Sequence, residues 1–130
     1  MQLSITRELV PLSAPFTITG YTFTDMNVIV ARVVERGAAG QGEAAGVYYL
    51  DDDADRMCAA IEGVRSDIES GVDREALRRL LPPGGARNAL DCALWDLEAK
   101  RLGQPVWRIA GLERPRPLLT TFTDPANDPG

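Results

Sequence analysis

Two carboxylates set the first chemical question. Asp91 and Asp96 stand among apolar residues in the stretch ARNALDCALWDLEAKRLGQPVW, residues 86 to 107, which reads as one helix. Paired acids can bind a metal or divide acid and base roles between them. Here they are five residues apart, which sets them roughly 140° apart around a helix. They cannot converge on one ion without help from other segments, so carboxylates accepting bonds from neighbouring backbone or from arginine are the simpler reading. Glu43, in GQGEA, suits an edge-strand salt bridge better than an acid catalyst, as nothing nearby is positioned as its partner. DDDAD at residues 51 to 55 lacks the glycine and distal glutamate of a calcium loop and reads as the start of a helix. The chain has no histidine and a single lysine, Lys100. The commonest general base and transition-metal ligand is therefore unavailable, leaving carboxylates, hydroxyls and two thiols.

The elements that must position these groups follow from periodicity. Gln2 to Val10 alternates as a half-buried strand that Pro11 ends. SAPFTITGYTFTD suits a long surface loop with some extended character, and MNVIVARVVE is a β-branched strand. After a turn at Arg36-Gly37, GQGEAAGVYY returns as a third, glycine-weakened strand, so an antiparallel meander is expected. Met57, Ile61, Val64 and Ile68 then fall on one face of an amphipathic helix that Gly71 stops. Asp73 caps a short second helix through Leu77, Leu80 and Leu81. PPGG at 82 to 85 breaks the chain again, and the helix of the opening stretch closes at Gly103 with Pro105 just beyond. On that helix Leu90, Ala93, Leu94 and Leu97 form one apolar face, and Asn88, Cys92, Trp95, Ala99 and Leu102 a second. Such a helix is expected to be buried between two layers or two domains. LLTTFT, at 118 to 123, reads as one more strand. The fold class is α+β.

Bulk properties narrow the function. A net charge of −5 argues against a nucleic-acid or anionic-membrane surface. Cys58 and Cys92, without metal-ligand spacing, read as small buried hydrophobes in a reducing compartment. No apolar run reaches the ~20 residues needed to span a bilayer, and the alternating N-terminus is no signal peptide. The cytoplasm is the expected location.

The residues also carry a family resemblance. NALDCALWDLEAKRLGQPVW resembles the helix signature of the enolase superfamily in its mandelate racemase/muconate lactonising branch. The matching positions are Asn88-Ala89-Leu90-Asp91, Ala93-Leu94-Trp95-Asp96-Leu97, Ala99-Lys100, Gly103, Pro105 and Val106. The resemblance reaches about Thr123. It implies an N-terminal capping domain over residues 1–113, a three-stranded meander followed by a helical bundle, with 114–130 opening a truncated TIM-type barrel. Within the branch, APFTITGYTFTDMNVIVARV, GQGEAAGVYYL and RPRPLLTTFT look most like the dipeptide epimerases of the L-Ala-D/L-Glu type.

The resemblance further implies a Mg²⁺-dependent 1,1-proton transfer α to a carboxylate, on a small dipeptide or N-acyl amino acid. The two facing lysines and three metal-binding acids of such enzymes belong to the barrel, and Lys100 matches neither lysine. No catalytic and no metal-binding residue is thus expected in these 130 residues, which should be inactive alone. The cap's expected share is substrate contact through two loops, 16–24 and 46–53. Phe16, Tyr21, Tyr48 and Tyr49 would line an apolar wall, and Thr17 and Thr19 would donate hydrogen bonds. Thr121, on the Thr-rich first barrel strand, joins them. N-acylamino acid racemisation, o-succinylbenzoate synthesis and muconate cycloisomerisation stay open as sister activities. So does a non-catalytic interaction module, or a homo-oligomer joined through the apolar face of the third helix.

Overall fold

The computed structural model describes residues 1–121. Three antiparallel strands, β1 (Gln2–Ile18), β2 (Tyr21–Glu35) and β3 (Ala38–Ala44), form a sheet in that order. A 3₁₀ turn (Tyr48–Leu50) leads to helices α1 (Ala54–Gly63), α2 (Arg65–Ser70), α3 (Arg74–Leu80), α4 (Gly85–Leu102) and α5 (Val106–Ile109). The meander and helical bundle expected from the sequence are present. Among the described residues no helix is long and apolar enough to cross a membrane.

Pro11 does not end the first strand. It pairs opposite Asp25 on an edge strand, where its lack of an N–H is tolerated. The register shifts between Pro11 and Phe16 and then resumes as Phe16–Phe23, Thr17–Thr22 and Ile18–Tyr21. The segment expected as a loop is therefore the far end of a long hairpin, turned at Thr19-Gly20 with Gly20 at φ 81°. The third strand stops at Ala44 instead of running through Tyr49. The first helix is two, broken at Val64 (φ −114°, ψ 10°). Its apolar stripe survives the break, because Met57, Ile61 and Ile68 are all buried. Residues 112–121 have no regular structure, and Leu118 and Leu119 are fully exposed. A strand exists only by ladder pairing, and none of the expected strand's described residues, 118–121, is paired; Phe122 and Thr123 lie outside the described residues.

The core lies between one face of the sheet and the helices. Leu3, Ile29, Ala31 and Val33 meet Met57, Ile61, Ile68 and Leu77 and the α4 residues Ala89, Leu90, Ala93, Leu94 and Leu97. Only the first apolar face of α4 is covered. On the second, Asn88, Cys92 and Leu102 are exposed and Trp95 is half-buried. The Arg74 guanidinium stacks 3.3 Å above the Trp95 ring and bonds Glu98 at 2.9 Å. Between the layers of this domain, then, only one face of α4 is buried, and Cys92 is not a core residue here. Burial, with Asp91 beside it, still pushes the Cys92 thiol up, so it stays protonated at neutral pH.

β3 is an edge strand, and α4 closes its free side. Asn88 Nδ2 donates to Glu43 O at 3.2 Å, the Gln41 amide donates to Asp96 Oδ2 at 2.9 Å, and Lys100 Nζ donates to Ala39 O at 3.0 Å. Positions 39, 41 and 43 are the alternate residues whose polar groups point away from β2. The helix backbone reaches this close because Gly40 and Gly42 face it. A Cβ on either would overlap the Ala93 or the Ala89 carbonyl oxygen. The start of β1 is closed likewise by α2, with Leu3 N–H donating to Glu69 Oε1 at 3.2 Å and Arg65 Nη1 donating to Leu3 O at 2.6 Å.

Candidate functional site: the aromatic tip

Of the two candidate acids, Asp96 is structural. Burial pushes its carboxyl up, but the Lys100 ammonium at 2.6 Å and the Gln41 amide outweigh this and hold it below the ordinary carboxylate range. Asp91 lies apart, in a shallow groove between α3 and α4 with Arg74, Arg78 and Arg87. Glu43 makes no ion pair among the described residues, contrary to the expected salt bridge. Its backbone carbonyl, not its side chain, is engaged. No cluster of three or more His, Cys, Asp or Glu side chains among the described residues could hold a metal ion. The described residues therefore do not fit a Mg²⁺ site.

The two segments singled out for substrate contact do converge. Phe16 and Phe23 are opposite each other across the hairpin, with ring centroids 6.3 Å apart. Tyr21 and Phe23 share a face of β2 by their two-residue spacing and meet at 4.5 Å. Tyr48, from the 3₁₀ turn, stacks on Tyr21 at 4.6 Å and meets Phe23 edge-on at 5.6 Å. Tyr49 continues the series, 5.1 Å from Tyr48. Such pairs contribute about 0.5–1.5 kcal/mol each beyond their area, enough to join hairpin and turn.

The hydroxyls divide. Thr17 and Thr22 Oγ1 are 3.0 Å apart across the strands. Thr19 is exposed at the hairpin turn, and Thr121 is exposed in the tail after α5, taking no part in the cluster's contacts. Phe23, central to the cluster, was not among the expected site residues. Its signal was the alternation Tyr21–Phe23, legible once the segment is treated as a strand.

The turn that carries Tyr48 and Tyr49 is a closed loop. Val47 N–H donates to Asp52 O at 3.1 Å, and the Leu50 amide donates to Val47 O at 2.9 Å. Gly46 (φ 73°) begins it, where a Cβ would overlap Asp52 O. The DDDAD acids then fasten it. Asp51 adopts a left-handed conformation (φ 56°) and pairs with Arg56 at 3.2 Å. Asp53 caps α1 through the Arg56 amide at 2.8 Å. Asp52 reaches α4, whose N-cap, Gly84, has no side chain to cap with, and its Oδ2 accepts the Gly85 amide at 2.7 Å. A carboxylate at a helix N-terminus also meets the positive end of the helix dipole. The expected helix start is present, and it serves the loop as well.

The tip presents aromatic rings together with tyrosine and threonine hydroxyls.

Comparison with known proteins agrees with this architecture. Residues 1–111 match the family profile of the mandelate racemase / muconate lactonizing enzyme N-terminal domain. The chain is 38% identical over 122 residues to an L-Ala-D/L-Glu epimerase of Escherichia coli, covering 93% of this chain and 38% of that protein. An enolase family member from Agrobacterium tumefaciens with homology to dipeptide epimerases, solved with sodium and L-Ala-L-Glu, superimposes with a TM-score of 0.80 at 32% identity. That match covers 85% of this chain and 34% of the solved one. A dipeptide epimerase from Methylococcus capsulatus, complexed with Mg and L-Arg-D-Lys, gives 0.73 at 27% identity over 85% and 34% of the two chains. The chain thus spans little more than a third of the length of these relatives. It belongs to the mandelate racemase/muconate lactonizing enzyme family of the enolase superfamily, as that family's N-terminal domain.

Proposed function

We propose that this chain is the capping part of a dipeptide epimerase, with residues 1–113 forming the cap and 114–130 leading into a barrel. The reaction of the complete protein is a 1,1-proton transfer at the carbon α to a dipeptide carboxylate. One observation carries the reading: two segments distant in sequence form a single aromatic tip, through the Tyr21–Tyr48 stack, at one end of a domain whose relatives act on dipeptides.

In this reading Phe16, Tyr21, Tyr48 and Tyr49 form the wall over the substrate, and Thr17 and Thr19 supply hydroxyls at its rim. Closing such a wall excludes water and strengthens polar interactions inside the site. The proton-transferring groups belong outside the described residues, whose single lysine, Lys100, is bound to Asp96 and Ala39. Metal dependence is likewise a property of the complete protein, as relatives are solved with Mg or sodium. Thr121 is assigned to the barrel side. Two free thiols, Cys58 and Cys92, favour a reducing, cytoplasmic setting.

The test is deuterium uptake at the α-carbon when the complete protein is incubated with dipeptides in D₂O. Uptake is expected, and Tyr48→Ala in that protein should raise KM several-fold more than it lowers kcat. No uptake with any dipeptide would sink the proposal.

A further inference from the structure

The aromatic tip is uncharged. Residues 16–24 and 46–50 contain no Asp, Glu, Lys or Arg. Acids flank it, yet each is occupied. Asp25 accepts the Thr24 hydroxyl at 3.0 Å, Asp51 pairs with Arg56, Asp52 accepts the Gly85 amide and Asp53 caps α1. Arg56, the cation of the same loop and helix start, is held by Asp51, through its carbonyl at 2.9 Å and its carboxylate at 3.2 Å. Meanwhile the rings keep free surface: Tyr21 is 44% exposed, Tyr48 48% and Tyr49 72%, with Leu50 beside them at 66%. Their own contacts use edges and single faces, which leaves an apolar patch open.

From this we infer that the substrate side chain covered by the cap is apolar, aliphatic or aromatic, and not a carboxylate. The inference rests on the reading of this chain as an epimerase cap and adds the substrate class to it. A carboxylate side chain closed under this wall would lose its water without gaining a cation. An apolar side chain meets ring faces and gains by leaving water. A cationic side chain could lie over a ring, but residues 16–24 and 46–50 hold no carboxylate to pair with it, so it ranks below the apolar one.

The experiment uses the complete protein and a dipeptide panel with Ala at one position and Leu, Phe, Lys or Glu at the other, read by α-deuteration in D₂O. The expected result is kcat/KM for the Leu or Phe dipeptides about tenfold or more above the Glu dipeptides, the order of one unmet charge–polar interaction. Tyr48→Arg should shift that ratio toward Glu by a similar factor. Tyr49→Arg, at the most exposed ring, is the second variant should the first fail to fold. A wild-type preference for Glu or for Lys overturns the inference and leaves the epimerase reading standing. So does a Leu-to-Glu ratio unmoved in the folded variants. Deuteration of none of the dipeptides overturns both.

Discussion

The Gly85 amide donates to Asp52 Oδ2 at 2.7 Å across 33 residues of sequence, so the loop that carries Tyr48 and Tyr49 is fastened to the first turn of α4. The aromatic tip and the signature helix are therefore mechanically one piece. α4 begins on a glycine without capping capacity, and the loop supplies the missing acceptor.

Asp52→Ala is expected to cost about 1–2 kcal/mol, the loss of a helix cap, and to speed amide exchange at residues 47–50 and 85–88 together. Asp52→Asn, which keeps an acceptor but not the charge, should retain more than half of that stability. Urea denaturation with hydrogen–deuterium exchange gives both readings. Faster exchange confined to one of the two segments would contradict the coupling.

Gly40 and Gly42 test the close approach of β3 to α4. Gly40→Ala or Gly42→Ala forces a methyl group onto a helix carbonyl oxygen, and each should destabilise by about 2 kcal/mol or more. Gly63 is the contrast. It sits in the last position of α1 with open space around it, and Gly63→Ala should stabilise by about 0.5–1 kcal/mol. Equal effects at the three positions would refute the packing argument.

Asp96 gives an acid-limb signature. Its carboxyl is depressed in the folded protein, so its contribution is present above the ordinary carboxylate pKa and is lost as pH falls through the lower folded value. Urea midpoints measured from pH 6 down to pH 2 should fall less steeply in Asp96→Asn than in wild type. At pH 7 that variant should lose about 1 kcal/mol, a modest figure because solvent screens a pair this exposed. Parallel acid limbs would show that Asp96 is not held by Lys100 and Gln41.

What could be read from the sequence was what local rules decide. α4 was legible because its apolar face recurs at helical spacing and Gly103 terminates it at φ 61°. The family signature on that helix identified the domain. The hairpin's far end was not legible, because Pro11 reads as a stop unless the strand is known to lie at an edge. With it went the Tyr21–Phe23 alternation, and so Phe23. The break at Val64 was hidden because Met57, Ile61 and Ile68 keep one burial stripe across it; Gly63, just before it, was the only local sign. The second apolar face of α4 was legible as spacing, but spacing shows where apolar residues lie and not what covers them. Asp52's role had no local signal, since its partner is 33 residues away.

Asn88, Asp96 and Lys100 stand where a fourth strand would hydrogen-bond, on the outward groups of β3. Open sheet edges are how small β-containing domains recruit one another into polymers. The signature helix thus acts as a chaperone built into the chain, denying a template to its neighbours. The same few side chains that hold α4 to the sheet thereby occupy the edge at which another strand would add.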